Sequence, residues 1–231
     1  MEAGRPGQAG QNGRVVVPIF PLPNVYLFPG CVMPLHIFEP RYRQMIEDLL
    51  DRPGRLVMGT IQEGQADFAS KPAMCPVGGL GEIGRHERLP DGRFLIWLVG
   101  ISRVRIREVD SDRLYRKVEI QPLDEIDVPR DDAHECRARV QAALLARCPE
   151  FLNLPSNIPL THLVDLLLQR LRLPPSCMQD LYVERDLRKR ADGALAEHAR
   201  RPMDPPDAEP PDAEPPTEGP APLGPGEMPT N

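Results

Sequence analysis

Side chains that could perform nucleophilic catalysis are scarce in this sequence. Only three lysines occur, and none follows a glycine in the Gly-Lys-Ser/Thr pattern of a phosphate-binding loop. Ser70 and Lys71 are neighbours, but a serine–lysine pair depends on the relative geometry of hydroxyl and amine, which adjacency does not supply. No Gly-x-Ser-x-Gly elbow is present. We therefore expect neither an ATPase nor a serine peptidase, and no enzymatic activity.

Metal binding is the next chemistry that the residue types allow. Cys31, His36, Cys75 and His86 carry suitable donor atoms, and the first two lie on or beside one predicted strand. Because they are five residues apart, the two-residue period of a strand puts them on opposite faces. No His-Glu-x-x-His or Cys-x-x-Cys spacing strengthens the pattern. The sequence favours buried thiols and partly exposed imidazoles, with no metal and no cofactor.

Arg103, Arg105 and Arg107 form an arginine stripe along another predicted strand. Guanidinium groups at every second position project from one face and could bind a carboxylate or a phosphate. Such a stripe is more typical of a solvated strand face, paired with acids such as Glu108 or Glu119. The solvated face is the favoured interpretation, and anion binding stays open as the other.

The elements that position these residues begin with strands. Alternating and β-branched runs between proline and glycine turns predict strands at Val15–Phe20, Val32–Phe38, Arg55–Ile61, Val77–His86, Phe94–Ile101, Ser102–Val109 and Leu114–Gln121. The run FLIWLVGI at residues 94–101 is apolar on both faces, which predicts a doubly buried strand and a shielded Trp97. Glycines 78, 79, 81 and 84 predict a bulge, a bend or a close backbone approach. Short turns between antiparallel neighbours favour a small rolled sheet or open barrel.

One helix interrupts the strands. Pro40 suits its first position, and Tyr42, Met45, Ile46 and Leu49 recur at helical spacing. This apolar face is more typical of a core than of a peptide groove.

Helical periodicity returns after residue 129. Helices are predicted at Asp131–Cys148, with Asp131 or Asp132 as N-cap, at Pro159–Leu171, and from Ser176 to Ala199 with a break near Val183–Arg185. Strands followed by helices predict an α+β chain. We expect a sheet domain with one inserted helix over residues 15–124 and a helical subdomain over residues 125–200.

The two ends differ from the rest in composition. Residues 1–14 are rich in Gly and Gln, and residues 202–231 hold 11 of the 29 prolines and seven acids without a Lys or Arg. Such segments bury too little apolar surface to fold, so residues 1–14 and 201–231 are predicted to be disordered. Without the tail acids the net charge changes from −6 to +1, which gives no sign of a nucleic-acid partner.

The expected location is the cytoplasm. No signal peptide and no apolar run long enough for a membrane helix occurs, so we expect no membrane partner. The five cysteines are scattered and odd in number, which is typical of reduced thiols.

Four stretches resemble one known family. PLPNVYLFPG and MPLHIFEPRYR, within residues 15–50, are the most specific, and ERLPDGRFLIWLVGISRVRI and LVDLLLQRLRLPPSCMQDL follow at 87–106 and 163–181. They resemble the N-terminal domain of Lon proteases, from about residue 15 to about residue 190. The resemblance implies a PUA-like β pseudo-barrel followed by a C-terminal helical subdomain. The family's ATPase and peptidase parts are absent, so we expect a free-standing domain.

The resemblance also implies a function, namely non-catalytic binding of unfolded polypeptides or partner proteins, as an adaptor for proteolysis. The predicted peptide-binding residues are Phe28 and Phe38 as apolar anchors, with Glu39, Arg41 and Tyr42 for polar contacts. Packing of the proline-rich connection onto the sheet is the favoured alternative role for its aromatic residues. The alternative function is a PUA-like small-molecule or RNA-binding module that uses the arginine stripe. An enzyme with an unrecognised site is the third possible function. The oligomeric state, the bound protein and the role of the tail stay open.

Overall fold

The structure, a computed structural model, describes residues 15–51, 53–62, 71–155 and 157–202. Its strands are β1 (Val15–Pro23), β2 (Val32–Ile37), β3 (Arg55–Ile61), β4 (Val77–Arg88), β5 (Phe94–Val109) and β6 (Lys117–Pro122). Its helices are α1 (Pro40–Leu50), α2 (Arg130–Arg147), α3 (Leu160–Arg170), α4 (Pro175–Val183) and α5 (Leu187–Arg200), with a 3₁₀ turn at Pro149–Asn153. The predicted α+β order is confirmed. Residues 1–14 and 203–231, which belong to the predicted disordered ends, lie outside the described residues.

The sheet closes on itself because β5 is long enough to pair with three strands. The hydrogen-bonded order is β2-β5-β4-β3-β1-β6, and β6 pairs again with β5. β4 pairs with β5 between Phe94 and Arg105, whereas β2 pairs with Phe94–Val99 and β6 with Val104–Val109. Five strands therefore form a ring, and the predicted pseudo-barrel is confirmed. β2, the first half of β5 and residues 82–88 of β4 extend from the ring, and we call them the sheet arm.

A β-bulge reverses the two faces of β5 halfway along the strand. Gly81 pairs with Gly100 and Leu80 pairs with Ser102, so Ile101 has no partner in β4. Since side chains alternate with a period of two, one extra residue sends those of the second half to the opposite face. The two runs that we predicted as separate strands are consequently one strand with a bulge at their junction.

The prediction of a doubly buried strand at Phe94–Ile101 is wrong. Phe94 and Ile96 are buried, whereas Leu95 and Trp97 are only half-buried. The buried side chains of this half belong to the apolar cluster that includes α1, whereas those between them point to the other face of the sheet arm.

Two apolar clusters lie on opposite faces of the sheet, as successive residues of β3 show. Leu56 and Met58 join the cluster beneath α1, and Val57 between them joins the interior of the ring. The ring interior consists of Val17, Ile19, Val57, Leu80, Val104 and Val118. The predicted apolar face of α1 is buried in the other cluster, which confirms it as core. Burial of each such aliphatic side chain contributes about 1.5–3 kcal/mol to stability.

The connection between β1 and β2 packs closely over glycines of β4 and β5. A Cβ atom at Gly79 would lie 2.3 Å from the carbonyl oxygen of Leu27, and one at Gly100 would lie 2.1 Å from that of Phe28. Only a residue without a side chain permits this approach. The predicted close backbone approach is confirmed, and a second register shift occurs at Gly84.

Helices α2 to α5 surround a third apolar cluster, which Phe28 also joins. Pro129 occupies the N-cap of α2 and makes no side-chain hydrogen bond. The N-cap prediction is therefore wrong, because Asp131 and Asp132 lie inside the first turn, where their charge favours the positive end of the helix dipole.

The predicted break in the last helix is confirmed. α4 ends at Val183, and Asp186 caps α5 by accepting hydrogen bonds from the backbone N–H groups of Arg188 and Lys189. None of the helices in the described part of the chain is long and apolar enough to cross a membrane.

Candidate functional site

Two of the five predicted site residues lie inside the protein. Phe28 is 2% exposed, and its ring packs edge to face on Tyr182 with 5.1 Å between centroids. Tyr42 is 5% exposed and meets Phe20 edge to face at 4.4 Å. These rings pack the connection and α1 onto the sheet, as in the alternative that the sequence favoured. They do not present a surface to a ligand.

The other three predicted residues are exposed where β2 ends and α1 begins. Phe38 is 61% exposed, and its ring centroid is 6.0 Å from that of His36. Glu39 and Arg41 form an exposed ion pair of 2.7 Å. The Arg41 guanidinium also lies 4.6 Å from the centroid of the Tyr42 ring. The structure therefore gathers three of these side chains on one surface and places Tyr42 against it from inside.

One face of the sheet arm carries apolar side chains that reach the protein surface. Directly opposite residues of antiparallel strands share a face. The pairs on this face are Val32 with Val99, Pro34 with Trp97 and His36 with Leu95. We call these six side chains the open face. Those from β2 are exposed, Val32 by 57%, and those from β5 are half-buried.

Charged side chains border the open face. Arg85 lies opposite Trp97, with its guanidinium 4.7 Å from the ring centroid, and Glu82 and Glu87 occupy neighbouring positions of β4 on the same face. Phe38 extends the apolar row past the end of β2, because every second residue of a strand projects to the same side. An apolar centre with a polar rim is the usual anatomy of a protein-binding surface.

Sequence reasoning missed the open face, although one residue could have revealed it. Pro34 lies in the middle of β2 and has no N–H to donate to a sheet ladder. Prolines inside sheets occur on edge strands, with the missing N–H directed away from the neighbouring strand. That signal places β2 at the edge of the sheet. Trp97 lies opposite Pro34 and therefore shares a face with the side chains of this edge strand.

The arginine stripe is not a continuous solvated face. Arg103 is buried and donates hydrogen bonds to the main-chain oxygen of Tyr182 and to the carboxylate of Glu125. Arg107 is exposed and pairs with Glu119, as predicted for a solvated face. The prediction is wrong at Arg103, because the helical part of the protein covers that end of the stripe. The arginine stripe therefore does not offer three adjacent exposed guanidinium groups to the phosphate backbone of a nucleic acid.

Arg103 belongs to a buried cluster of charges between β5 and the helices. Arg190 Nη1 lies 2.7 Å from Glu125 Oε1, and its Nη2 lies 3.3 Å from Asp165 Oδ1. The Asp165 carboxylate accepts no hydrogen bond from the described residues. Burial raises the pKa of Asp165 to about 7, with Arg103 acting to lower it and Glu125 to raise it. The cluster joins elements of the fold, with Arg103, Asp165 and Arg190 buried and Glu125 at its partly exposed edge.

The candidate metal ligands do not converge. Cys31 lies beside Gln169, with 3.2 Å between Sγ and Nε2, whereas His36 belongs to the open face. Over the ranges that the structure describes, no three His, Cys, Asp or Glu side chains are grouped to hold a metal ion. Burial raises the pKa of the Cys31 and Cys75 thiols, which makes them poor nucleophiles at neutral pH.

A groove of about 530 Å³ lies between the start of β1, the end of α1 and the β5–β6 connection. Several of its polar side chains are already matched to one another. Asp48 accepts a 2.9 Å hydrogen bond from the Tyr115 hydroxyl, and Asp112 pairs with Lys117 at 2.7 Å. The groove therefore gives a weaker candidate site than the open face.

The family match and the similar sequences indicate the same family. Residues 16–196 match the family described as the ATP-dependent protease La (LON) substrate-binding domain. "Lon protease 2" of Sorangium cellulosum is 31% identical over 146 residues, which is 62% of this chain and 17% of that protein. The Lon protease of Escherichia coli (strain K12) is 23% identical over 149 residues, 64% of this chain and 18% of that protein. The chain thus spans less than a fifth of the length of these relatives.

Two solved structures share the fold. The N-terminal domain of Mycobacterium avium complex Lon protease has a TM-score of 0.60 and 16% identity, and the match covers 80% of this chain and 98% of that chain. The Lon N-terminal domain protein from Xanthomonas campestris has a TM-score of 0.55 and 22% identity over 79% and 98% of the two chains. With the family match extending over residues 16–196, this chain belongs to the ATP-dependent protease La (LON) substrate-binding domain family.

Proposed function

We propose that this domain binds polypeptide chains non-covalently and without catalysis, through the open face and the adjoining Phe38, Glu39 and Arg41. The observation that carries the proposal is the row of exposed and half-buried, mostly apolar side chains on a sheet, bordered by charges. Removing apolar surface from water contributes about 25 cal/mol per Å², so such a row attracts other apolar side chains. The family's description as a substrate-binding domain supports the same function.

The polypeptides that fit this surface are unfolded or partly unfolded. The open face is a row of side chains from two strands. Folded proteins keep most of their large apolar side chains inside, whereas an unfolded chain offers them along its length. Such an apolar row therefore selects chains by their exposed apolar residues rather than by the shape of a folded partner.

The five predicted site residues divide into two roles under this proposal. Phe38 is an apolar anchor, and the exposed Glu39–Arg41 pair offers a carboxylate and a guanidinium to the main chain or to polar side chains of the ligand. Phe28 packs in the buried cluster of the helices, whereas Tyr42 holds the surface from inside. Tyr42 does so directly, since Arg41 lies over its ring.

We also infer that the bound chains are substrates for an ATP-dependent protease, which makes the domain an adaptor for proteolysis in the cytoplasm. Support for the first part comes from relatives that are named Lon proteases and that extend well beyond the aligned segment. Support for the second comes from the cysteines, whose thiols are all free, as is typical of a reducing compartment.

The experiment that tests the binding surface is fluorescence anisotropy with labelled, reduced casein as an unfolded ligand. Trp97→Ala and Phe38→Ala should each weaken binding by about tenfold or more, because truncating an interface anchor typically costs that much. Leu152→Ala is the matched control, since Leu152 is 74% exposed but lies in the 3₁₀ turn of the helical part. Its affinity should equal that of the wild type.

Two results would contradict this proposal. The first is that both variants keep their fold, as judged by circular dichroism, and bind casein as the wild type does. The second is preferential capture of an RNA oligonucleotide with an affinity that falls steeply between 50 and 200 mM salt. That result would favour the RNA-binding alternative, because phosphate contacts make affinity strongly salt-dependent.

A further inference from the structure

β2 is the one strand of the described sheet that has a single neighbour. It pairs with β5 alone along its whole length, whereas every other strand has two neighbouring strands, although residues 83–88 of β4 pair only with β5. A strand edge presents a row of unpaired backbone N–H and C=O groups, which matches the backbone of another extended chain. The β2 edge adjoins the open face, because the exposed side chains of β2 belong to it.

The hydrogen-bond pattern shows which residues of β2 direct their backbone groups to this edge. Gly100 N donates to Cys31 O at 2.8 Å, so the pair just before β2 is a hydrogen-bonded position of the β2–β5 ladder. Hydrogen-bonded and non-hydrogen-bonded positions alternate in an antiparallel pair. The residues whose N–H and C=O point away from β5 are therefore Val32, Pro34 and His36, of which Pro34 offers only its C=O.

We propose that an extended segment of the bound polypeptide adds to β2 as a further antiparallel strand. The inference rests on the proposed polypeptide binding and gives it a mechanism. In an antiparallel pair, directly opposite residues share a face, so every second side chain of the ligand lies beside Val32, Pro34 or His36 on the open face. The ligand class is accordingly a segment in which apolar residues alternate with polar ones.

The missing N–H of Pro34 argues for a foreign chain rather than a second copy of this domain. If two β2 edges paired in full antiparallel register, Val32 would face His36 and the two Pro34 residues would face each other. Two carbonyl oxygens would then meet without a donor between them, which is unfavourable. A ligand residue opposite Pro34 keeps its own N–H and donates it to the Pro34 oxygen.

The geometry specifies which amides of the ligand are used. A ligand residue opposite an outward-facing residue of β2 directs both its N–H and its C=O at β2. The same residue projects its side chain onto the open face. In a ligand with alternating sequence, the N–H groups of the apolar residues therefore make the hydrogen bonds, and those of the polar residues point away.

This rule gives a test with a synthetic peptide of alternating valine and threonine-or-lysine residues, measured by anisotropy against the full chain. One version carries N-methyl groups on its three central valines and the other carries them on the three central polar residues. Loss of the backbone donors should weaken binding of the first by about tenfold or more. The second should bind as the unmodified peptide does, and because both carry the same number of methyl groups, each controls for the other.

The outcomes separate this inference from the proposed function. Failure of the unmodified peptide and of casein to bind would remove the proposed function itself. Binding of the unmodified peptide with equal affinities for the two methylated versions would overturn strand addition and leave the proposed function standing. If only the peptide that is methylated on its polar residues lost affinity, the antiparallel pairing would be overturned.

A variant of the protein tests the complementary hydrogen bonds, in which an N–H of β2 donates to a carbonyl oxygen of the ligand. His36→Pro removes an N–H that points to the edge, at a position equivalent to Pro34, while His36→Ala keeps it. The proline variant should bind the unmodified peptide about fivefold more weakly than the alanine variant, which corresponds to one hydrogen bond. Equal affinities of two folded variants would overturn the inference. If the proline variant does not fold, the methylated peptides still decide.

Discussion

The hydroxyl of Tyr182 donates a 2.7 Å hydrogen bond to the carbonyl oxygen of Leu27, across 155 residues of sequence. Both residues are buried, and the Tyr182 ring also packs on Phe28. Burial raises the pKa of Tyr182 above its ordinary value, so the hydroxyl stays a donor throughout the usual pH range. This bond joins α4 to the connection that packs over the glycines of the sheet.

Tyr182→Phe should lower the free energy of unfolding by about 1–3 kcal/mol, because it leaves the buried Leu27 carbonyl without its partner. Urea denaturation followed by circular dichroism measures the change. Tyr26→Phe is the matched control, since the Tyr26 hydroxyl donates a 3.2 Å bond to the Pro175 carbonyl at a partly exposed site where water can replace it. Equal losses of unfolding free energy in the two variants would show that the Tyr182 hydrogen bond contributes no more to stability than the Tyr26 bond does.

Asp165→Asn should stabilise the protein at alkaline pH. Burial raises the pKa of Asp165 to about 7, although Arg103 and Arg190 lie near it, with Glu125 opposing them. Between about pH 4 and pH 7 the native carboxyl therefore holds a proton that the unfolded chain has released. The stability that this site contributes is present below about pH 4 and is lost as the pH rises through 7.

Asparagine does not ionise, so the variant should be about 2–4 kcal/mol more stable than the wild type at pH 8 and nearly equal to it at pH 4. Urea denaturation at a series of pH values measures the difference. Asp192→Asn serves as the control, because Asp192 is exposed and pairs with Arg188 at the surface, so its effect should be small. A loss of stability at pH 8 in Asp165→Asn would mean that attraction to the arginines outweighs the cost of burial.

Trp97 is the only tryptophan, and its emission should report the open face. Because its ring is half-buried beneath Arg85, native emission should be quenched by acrylamide, and bound peptide should reduce that quenching. Trp97→Ala should cost about 1–2 kcal/mol of stability, less than the 3–5 kcal/mol of a fully buried tryptophan. Arg85→Ala should increase quenching without unfolding the protein. Blue-shifted emission that acrylamide does not reach would place Trp97 inside a core instead.

Gly100→Ala should destabilise the fold by about 3 kcal/mol or more, because the new Cβ would lie 2.1 Å from the Phe28 carbonyl oxygen and the backbone must move. Thermal melts of purified variants provide the measurement. Gly193→Ala is a useful comparison. Its Cβ would meet only the flexible end of Leu181, and alanine favours the helix, so the effects should largely cancel. A Gly100→Ala protein with an unchanged melting temperature would show that the connection is not held at this position.

Prediction from the sequence works well for elements whose pattern lies within a few neighbouring residues. β3 matches its predicted bounds, and the break between α4 and α5 lies where we expected it. The apolar face of α1 is identifiable because helical spacing and burial report the same residues. In these segments the intrinsic propensities, the flanking turn and cap residues and the tertiary packing all favour the same structure. Prediction from sequence succeeds under that condition.

Sequence reasoning fails where distant parts of the chain decide the environment. Arg103 follows the alternation of a solvated stripe, yet α4 and α5 lie over it, and no local pattern reports that cover. Trp97 lies in an apolar run, yet the bulge at Ile101 and the edge position of β2 leave its face open. Phe28 looks like a surface aromatic in a proline-rich connection, until Gly79 and Gly100 are known to let the backbone of Leu27 and Phe28 approach the sheet.

The ring of strands has a consequence for how the chain folds as it is made. β1 completes its ladder only by pairing with β6, so Val15 meets Ile120 after the intervening residues have emerged. Pairings that are distant in sequence slow folding, because the loop must close before they form. Helix α4, which covers the connection after β1, is synthesised later still. Val15 is thus among the first described residues to leave the ribosome, whereas its partner strand is the last strand of the described sheet to be synthesised.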